Sequence, residues 1–163
     1  ASAHRGRDVH LLVAGRGTGE GQRSKARRLI DQLGLTDRVT LAGPVRPALH
    51  AHAAADALVH LSWHDSFGFV VLEAMACGLP VVTTRFVGAS ELIDDGVSGL
   101  IVDPGSHDEI ARAVTRLSDA TERRRMGARA AAVGRSHDEA ACFSGVERVM
   151  RIAAERRGSP IRV

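Results

Sequence analysis

Aromatic residues are scarce in this 163-residue sequence. It has no Tyr, and aromatic side chains make up only 3% of the chain. Proteins that bind single-stranded nucleic acid usually stack bases on such side chains. The net charge of +3 is also small for a nucleic-acid binder. The composition therefore predicts no nucleic-acid partner, and we interpret the arginine clusters as solvated helix faces.

Long apolar runs and a secretory signal are also missing. No run approaches the roughly 18 residues of a membrane span, and no amino-terminal segment has the charged, apolar and small-residue order of a signal peptide. The only cysteines, Cys77 and Cys142, are far apart. We predict buried, inert thiols in a cytoplasmic protein without a transmembrane segment. The eight histidines include no i, i+4 pair beside a Glu, so we predict no metal site.

Short apolar runs alternate with helical patterns along the chain. Helices are predicted between and after the runs, one of them with a capping box at Ser106 and Glu109 and the last with one at Ser136 and Glu139. This alternation predicts an α/β, Rossmann-like parallel sheet with helices on both faces, in a single domain spanning residues 1–163. The five predicted strands are 9–14, 39–42, 57–61, 80–83 and 100–102. Ligands bind such sheets at the carboxyl ends of the strands.

One segment, residues 65–80, combines a turn with an apolar helix that contains a carboxylate. Its sequence is Asp-Ser-Phe-Gly-Phe-Val-Val-Leu-Glu-Ala-Met-Ala-Cys-Gly-Leu-Pro. A helix that is apolar on every side is expected to be buried. Burial of Glu73 without a partner would be costly. We therefore predict that Glu73 is held for a ligand, in a cleft that begins at Asp65.

The turn before this helix suits a phosphate. Amide groups of Gly68, Phe69 and Val70 lie at a helix amino terminus, where the dipole favours an anion. Glu73 follows about one turn later, roughly 6 Å along the axis, where it could accept hydrogen bonds from ribose hydroxyls. The order of groups fits a nucleotide sugar. An alternative stays open, in which Asp65 only stabilises a turn and Glu73 pairs with an internal Arg.

The same segment closely resembles the donor-binding half of family 4 glycosyltransferases, which have the GT-B architecture. Their hallmark is a carboxylate, seven residues and a glutamate, within a pattern such as E-x-F-G-x-x-x-x-E-A-M-A-x-G-x-P-V-V. Here the pattern runs from Asp65 to Val82. The likeness extends over about residues 9–130. The long motif is highly specific, and Asp65 stands in place of the usual first glutamate.

The resemblance implies roles for individual residues. Asp65 and Glu73 would be the catalytic pair, with Asp65 on the transferred sugar and Glu73 on the ribose. Phe67, Gly68 and Phe69 would present backbone groups, and Val70 would lie at the phosphates. Val45 and Arg46 would lie in the base-binding loop. The donor would be a UDP- or GDP-sugar, used without a metal or other cofactor and with retention of configuration.

Three further residues have roles predicted from their positions in the sequence. His64 lies beside Asp65 in the loop, and we predict that it contacts the ligand, with a surface loop histidine as the alternative. Trp63 is assigned to core packing. Glu91 is assigned a structural role at its helix.

The resemblance also implies parts that this sequence does not contain. The family carries a diphosphate-gripping Arg and Lys on a strand and loop that would precede residue 1, and an acceptor-binding domain before them. The only lysine here, Lys25, does not match. We therefore expect weak donor binding and little transfer. Membrane contact would be peripheral, through the absent domain. A non-catalytic nucleotide-binding module that pairs with a separate subunit, and a GT-B-type nucleotide-sugar epimerase, remain alternatives.

Overall fold

A computed structural model describes residues 9–15 and 20–137. The predicted last helix lies outside the described residues, as does most of the loop after the first strand. In the described part, no helix is both long enough and apolar enough to cross a membrane.

Strands and helices alternate as predicted. The five strands are β1 (Leu11–Ala14), β2 (Val39–Gly43), β3 (Leu58–His60), β4 (Val81–Thr83) and β5 (Gly99–Ile101). The helices are α1 (Glu20–Gln32), α2 (Leu49–Ala53), α3 (Phe69–Ala76), α4 (His107–Leu117) and α5 (Ala120–Ser136), with a short 3₁₀ helix at Gly88–Leu92.

The strands form two parallel sheets and not the single sheet that was predicted. β1 pairs with β2, and the second sheet has the order β3-β4-β5. All pairings are parallel, which confirms that part of the prediction. Among the described strands, none pairs with the outer edge of β1 or with that of β3, so no hydrogen-bonded strand connects the two sheets.

The core lies on both faces of the second sheet. Val81 and Val82 are adjacent in β4, so their side chains point to opposite faces. Val81 belongs to one buried cluster with residues of α3, and Val82 belongs to another with residues of α4. Ala130 of α5 joins the first cluster and Met126 joins the second. Helices therefore cover both faces, as predicted.

Small residues let α5 approach the backbone of α3 and the turn after it. A Cβ atom added to Gly134 would lie 2.3 Å from the amide nitrogen of Ala76, and one added to Gly127 would meet the carbonyl oxygen of Gly78. Since these neighbours are backbone atoms, a Cβ atom could be admitted only if α5 moved away from them. The two glycines therefore fix how closely α3 and α5 pack.

Side-chain caps begin both carboxyl-terminal helices of the described region. The Ser106 hydroxyl accepts a hydrogen bond from the Glu109 amide at 3.3 Å, as the capping box predicted. The Glu109 carboxylate binds the Asp103 amide instead of returning to Ser106. Asp119 caps α5, accepting from the amides of Thr121 and Glu122, both at 2.8 Å.

Candidate functional site

Helix α3 exposes one stripe of side chains. Phe69, Glu73 and Cys77 are spaced by four residues and therefore share a helix face. Phe69 is 66% exposed and the Glu73 side chain is 54% exposed, and Cys77 is exposed as well. Val71, Ala74 and Met75 are buried on the opposite side. The predicted burial of Glu73 and Cys77 was therefore wrong.

Gly68 begins this helix in a conformation that needs glycine. Its φ is +78°, in the left-handed region that side chains other than glycine rarely adopt. A Cβ atom there would lie 2.5 Å from Cγ1 of Val87. The Gly68 carbonyl accepts a hydrogen bond from the Val71 amide at 2.8 Å. The chain thus turns sharply into α3, with the loop pressed against the segment after β4.

Asp65 is held by hydrogen bonds inside this loop. Its Oδ2 lies 3.1 Å from Nε2 of His60, and its Oδ1 accepts from the Phe67 amide at 3.3 Å. Because a carboxylate can only accept, Nε2 of His60 carries the proton. The His60 hydrogen bond and the amides of Phe67 and Gly68 together hold the pKa of the Asp65 carboxyl below its ordinary value of 3.8, although partial burial opposes them. The Gly68 amide thus contributes to the low pKa of the Asp65 carboxyl, and its contact with a phosphate stays a prediction.

Backbone hydrogen bonds join the loop after β3 to the loop after β4. The Asp65 amide donates to Phe86, the Gly88 amide donates to Asp65, and the Ala89 amide donates to Phe67, at 2.7–3.1 Å. A Cβ atom on Gly88 would lie 2.4 Å from the carbonyl oxygen of Ser66. The loops thus continue the sheet beyond its strands and hold Asp65 at its carboxyl edge.

Glu73 has a buried histidine beside it. Nε2 of His52, on α2, lies 3.6 Å from Oε2 of Glu73. This pair replaces the internal Arg of the alternative interpretation as the neighbour of Glu73. Neither His52 nor His60 was predicted from the sequence as a site residue. A signal existed for His60, which ends a strand at the ligand-binding edge, but none existed for His52, whose position depends on how α2 packs.

The remaining predicted residues lie in two places. Val45 and Arg46 follow β2 of the separate first sheet; Val45 is half-buried and Arg46 is exposed. His64 is exposed in the loop after β3, whereas the Val70 side chain packs against the core. The rings of Phe67 and Phe69 meet with their centroids 4.8 Å apart.

Trp63 and Glu91, which were assigned structural roles from the sequence, are both exposed. Trp63 is 65% exposed and contacts the Phe86 ring at 5.9 Å, so its assignment to core packing was wrong. Glu91 is exposed in the 3₁₀ helix. Within residues 9–15 and 20–137, no group of three or more His, Cys, Asp or Glu side chains is placed to hold a metal ion.

The geometry offers three kinds of group on helix α3 and in the loop before it. The amino terminus of α3 supplies amides and positive potential. Glu73 supplies an exposed acceptor about one turn further, and Asp65 supplies a second carboxylate with its geometry already fixed. Such a surface can bind a ligand that carries both an anion and hydroxyl groups.

Comparison with known proteins assigns the fold to a family. Residues 2–133 match the family described as "Glycosyl transferases group 1". The chain belongs to this glycosyltransferase family. The resemblance drawn from residues 9–130 is thereby confirmed. A D-inositol 3-phosphate glycosyltransferase from Mycolicibacterium smegmatis is 37% identical over 115 residues, which is 68% of this chain and 26% of that protein.

Solved structures agree with this membership. Anabaena HepE, in complex with UDP and glucose, superposes with a TM-score of 0.76 at 29% identity, covering 90% of this chain and 41% of HepE. HepE in complex with UDP-glucose matches with a TM-score of 0.71 at 32% identity, over 77% of this chain and 36% of that chain. The α/β fold with parallel strands is thus that of GT-B glycosyltransferases. The chain spans about a quarter of the inositol phosphate relative and about two fifths of HepE.

Proposed function

We propose that this chain is the nucleotide-sugar-binding, carboxyl-terminal domain of a retaining glycosyltransferase. The observation that carries the proposal is the surface at the amino terminus of α3. There the family motif places Glu73 in the open, on a protein whose fold matches HepE bound to UDP and glucose. The Glu73 side chain is 54% exposed, so its carboxylate is accessible to a ligand from solvent.

Each group on this surface has a proposed task. The first amides of α3 receive the diphosphate, because the helix dipole favours negative charge there. Glu73 accepts hydrogen bonds from the ribose hydroxyls. Each oxygen of the Asp65 carboxylate already accepts one hydrogen bond, from His60 or from the Phe67 amide. The remaining lone pairs accept hydrogen bonds from hydroxyls of the transferred sugar. Departure of the nucleoside diphosphate is then assisted electrostatically, without a metal.

Val45, Arg46 and His64 complete the proposed site. Val45 and Arg46 follow the carboxyl end of β2, as Asp65 follows the carboxyl end of β3. We assign them to the nucleoside base. His64 is exposed beside Asp65 and is assigned to the ligand. The donor is a UDP-sugar or a GDP-sugar, and the UDP complexes of HepE favour UDP.

We further propose that an acceptor-binding domain and one more strand belong to the complete enzyme. Among the described strands, none pairs with the outer edge of β1 or with that of β3. This supports the additional strand, since a parallel strand between them would join the two sheets. This chain covers only 26% of the D-inositol 3-phosphate glycosyltransferase and 41% of HepE, which supports the additional acceptor-binding domain. The cations expected on that strand would neutralise the diphosphate. Accordingly the isolated chain should bind donors weakly and transfer little sugar, and transfer at the rate of complete enzymes would contradict this.

Titration calorimetry with UDP-, GDP- and ADP-sugars tests the proposal. Glu73→Gln should weaken binding of the preferred nucleotide about tenfold, the effect of losing a charged hydrogen bond on a half-exposed carboxylate. Asp65→Asn should chiefly reduce the preference for one sugar over another. Asp37→Asn is the control, because Asp37 is exposed at the amino-terminal edge of β2. Absence of heat with every nucleotide sugar, in a folded sample, would refute the proposal for this chain.

A further inference from the structure

His52 presents an unusual buried group next to the exposed Glu73. The His52 side chain is only 6% exposed, in the five-residue helix α2. Its Nε2 is the one buried side-chain nitrogen or oxygen that lacks a hydrogen-bond partner within the part of the chain that the structure describes. Buried polar atoms in native proteins nearly always have a partner, so an unpaired one indicates a function or a missing contact.

The nearest charged atom is the Glu73 carboxylate. Nε2 of His52 and Oε2 of Glu73 are 3.6 Å apart, just beyond the range of a hydrogen bond. Glu73 is half exposed on a flexible side chain, so a small rotation brings its oxygen within range, whereas the buried His52 ring has little freedom. The carboxylate is thus the mobile partner and the imidazole is the fixed one.

We propose that His52 is a positioning residue for the nucleotide's ribose. Nε2–H of His52 donates to Oε2 of Glu73 and holds that oxygen, which leaves Oε1 directed at the ribose hydroxyls. A carboxylate accepts at both oxygens, so one can be held while the other binds the ligand. This inference rests on the proposed function, and it adds a residue from a second helix to the ribose site.

A purely structural role for His52 makes a different prediction. If the ring only fills space between α2 and α3, its replacement weakens the binding of every nucleotide by the same factor. If the ring orients Glu73, its replacement weakens chiefly those nucleotides that carry both ribose hydroxyls. The ratio of two dissociation constants therefore separates the roles, even in a variant that is somewhat destabilised.

Calorimetry with UDP and 2′-deoxy-UDP, and with GDP and 2′-deoxy-GDP, measures this ratio. The unmodified chain should prefer the ribonucleotide about tenfold, as expected for a hydrogen bond to a charged group. His52→Leu should bring the ratio close to one. His52→Gln, whose amide keeps a donor near the same place, should retain most of the preference. His50→Leu is the matched control, because His50 is exposed on the same helix.

The possible outcomes separate the two proposals. If His52→Leu keeps the unmodified ratio while Glu73→Gln abolishes it, the positioning role is wrong and the nucleotide site stands. If His52→Leu and His52→Gln lower the affinity for both nucleotides equally, the role is structural and the inference is overturned. If the unmodified chain binds none of the four nucleotides, the proposed function itself fails.

Discussion

Replacing Gly134 with alanine should destabilise the protein, although alanine is the better helix former. An ideal Cβ atom at this position would lie 2.3 Å from the amide nitrogen of Ala76, 2.7 Å from its Cα and 2.8 Å from the carbonyl carbon of Met75. All three are backbone atoms of α3, so the helices must separate to admit the methyl group. Overpacking of this kind costs about 1–3 kcal/mol, and helix propensity returns up to about 1 kcal/mol. We expect a net loss of roughly 1–2 kcal/mol.

Thermal and urea unfolding of Gly134→Ala and Gly21→Ala measure this difference directly. Gly21 also lies in a helix, α1, but within the described residues a Cβ atom added there meets no atom within 4 Å outside its sequence neighbours and the backbone of its own helix. Gly21→Ala should therefore leave the free energy of unfolding unchanged or raise it by up to about 1 kcal/mol. Gly134→Ala should lower Tm by roughly 2–8 °C for a chain of this size. If Gly134→Ala matches Gly21→Ala in stability, the close packing of α3 and α5 is not as described.

Two further substitutions test the capping and the loop electrostatics. Asp119→Ala removes the acceptor of two amides at the start of α5 and should cost about 1 kcal/mol in urea unfolding, and Asp119→Asn, which keeps a capping oxygen, should cost less. The lowered pKa of Asp65 contributes stability that is fully present above 3.8 and is lost as the pH falls through the lower folded-state pKa. Asp65→Asn should therefore flatten the stability profile between those two values, and an unchanged slope below pH 3.8 would show that the His60 contact does not stabilise the fold.

Local patterns were enough to predict most of the elements. The predicted run 80–83 contains the fully buried strand β4, and the spacing of Ser106 and Glu109 correctly placed the start of α4. The split of the sheet could not be predicted in this way. Apolar runs indicate where strands lie in the chain. They do not indicate whether β1 and β3 are neighbours in one sheet or need a further strand between them.

The structure differs from the sequence prediction in the exposure of the candidate site residues, and their roles remain predictions. The motif identified Glu73 and Asp65, whereas the apolar character of Phe69 and Cys77 suggested a helix buried all round. Their spacing by four residues, together with Glu73, instead defines an open face. His52 could not be predicted from local sequence patterns, because its approach to Glu73 is a tertiary contact between two helices that are separated by a strand and a loop.

The hydrogen bonds between the loops after β3 and β4 limit how this surface can vary. Since Asp65 pairs with both Phe86 and Gly88, neither loop can lengthen within residues 65–67 or 86–89 without breaking the register of the other. On the proposed function, insertions that alter the preference for different sugars would then be confined to the exposed stretch around Trp63 and His64. Under that proposal, directed evolution of donor choice should tolerate added residues at 63–64 and reject them at 86–89.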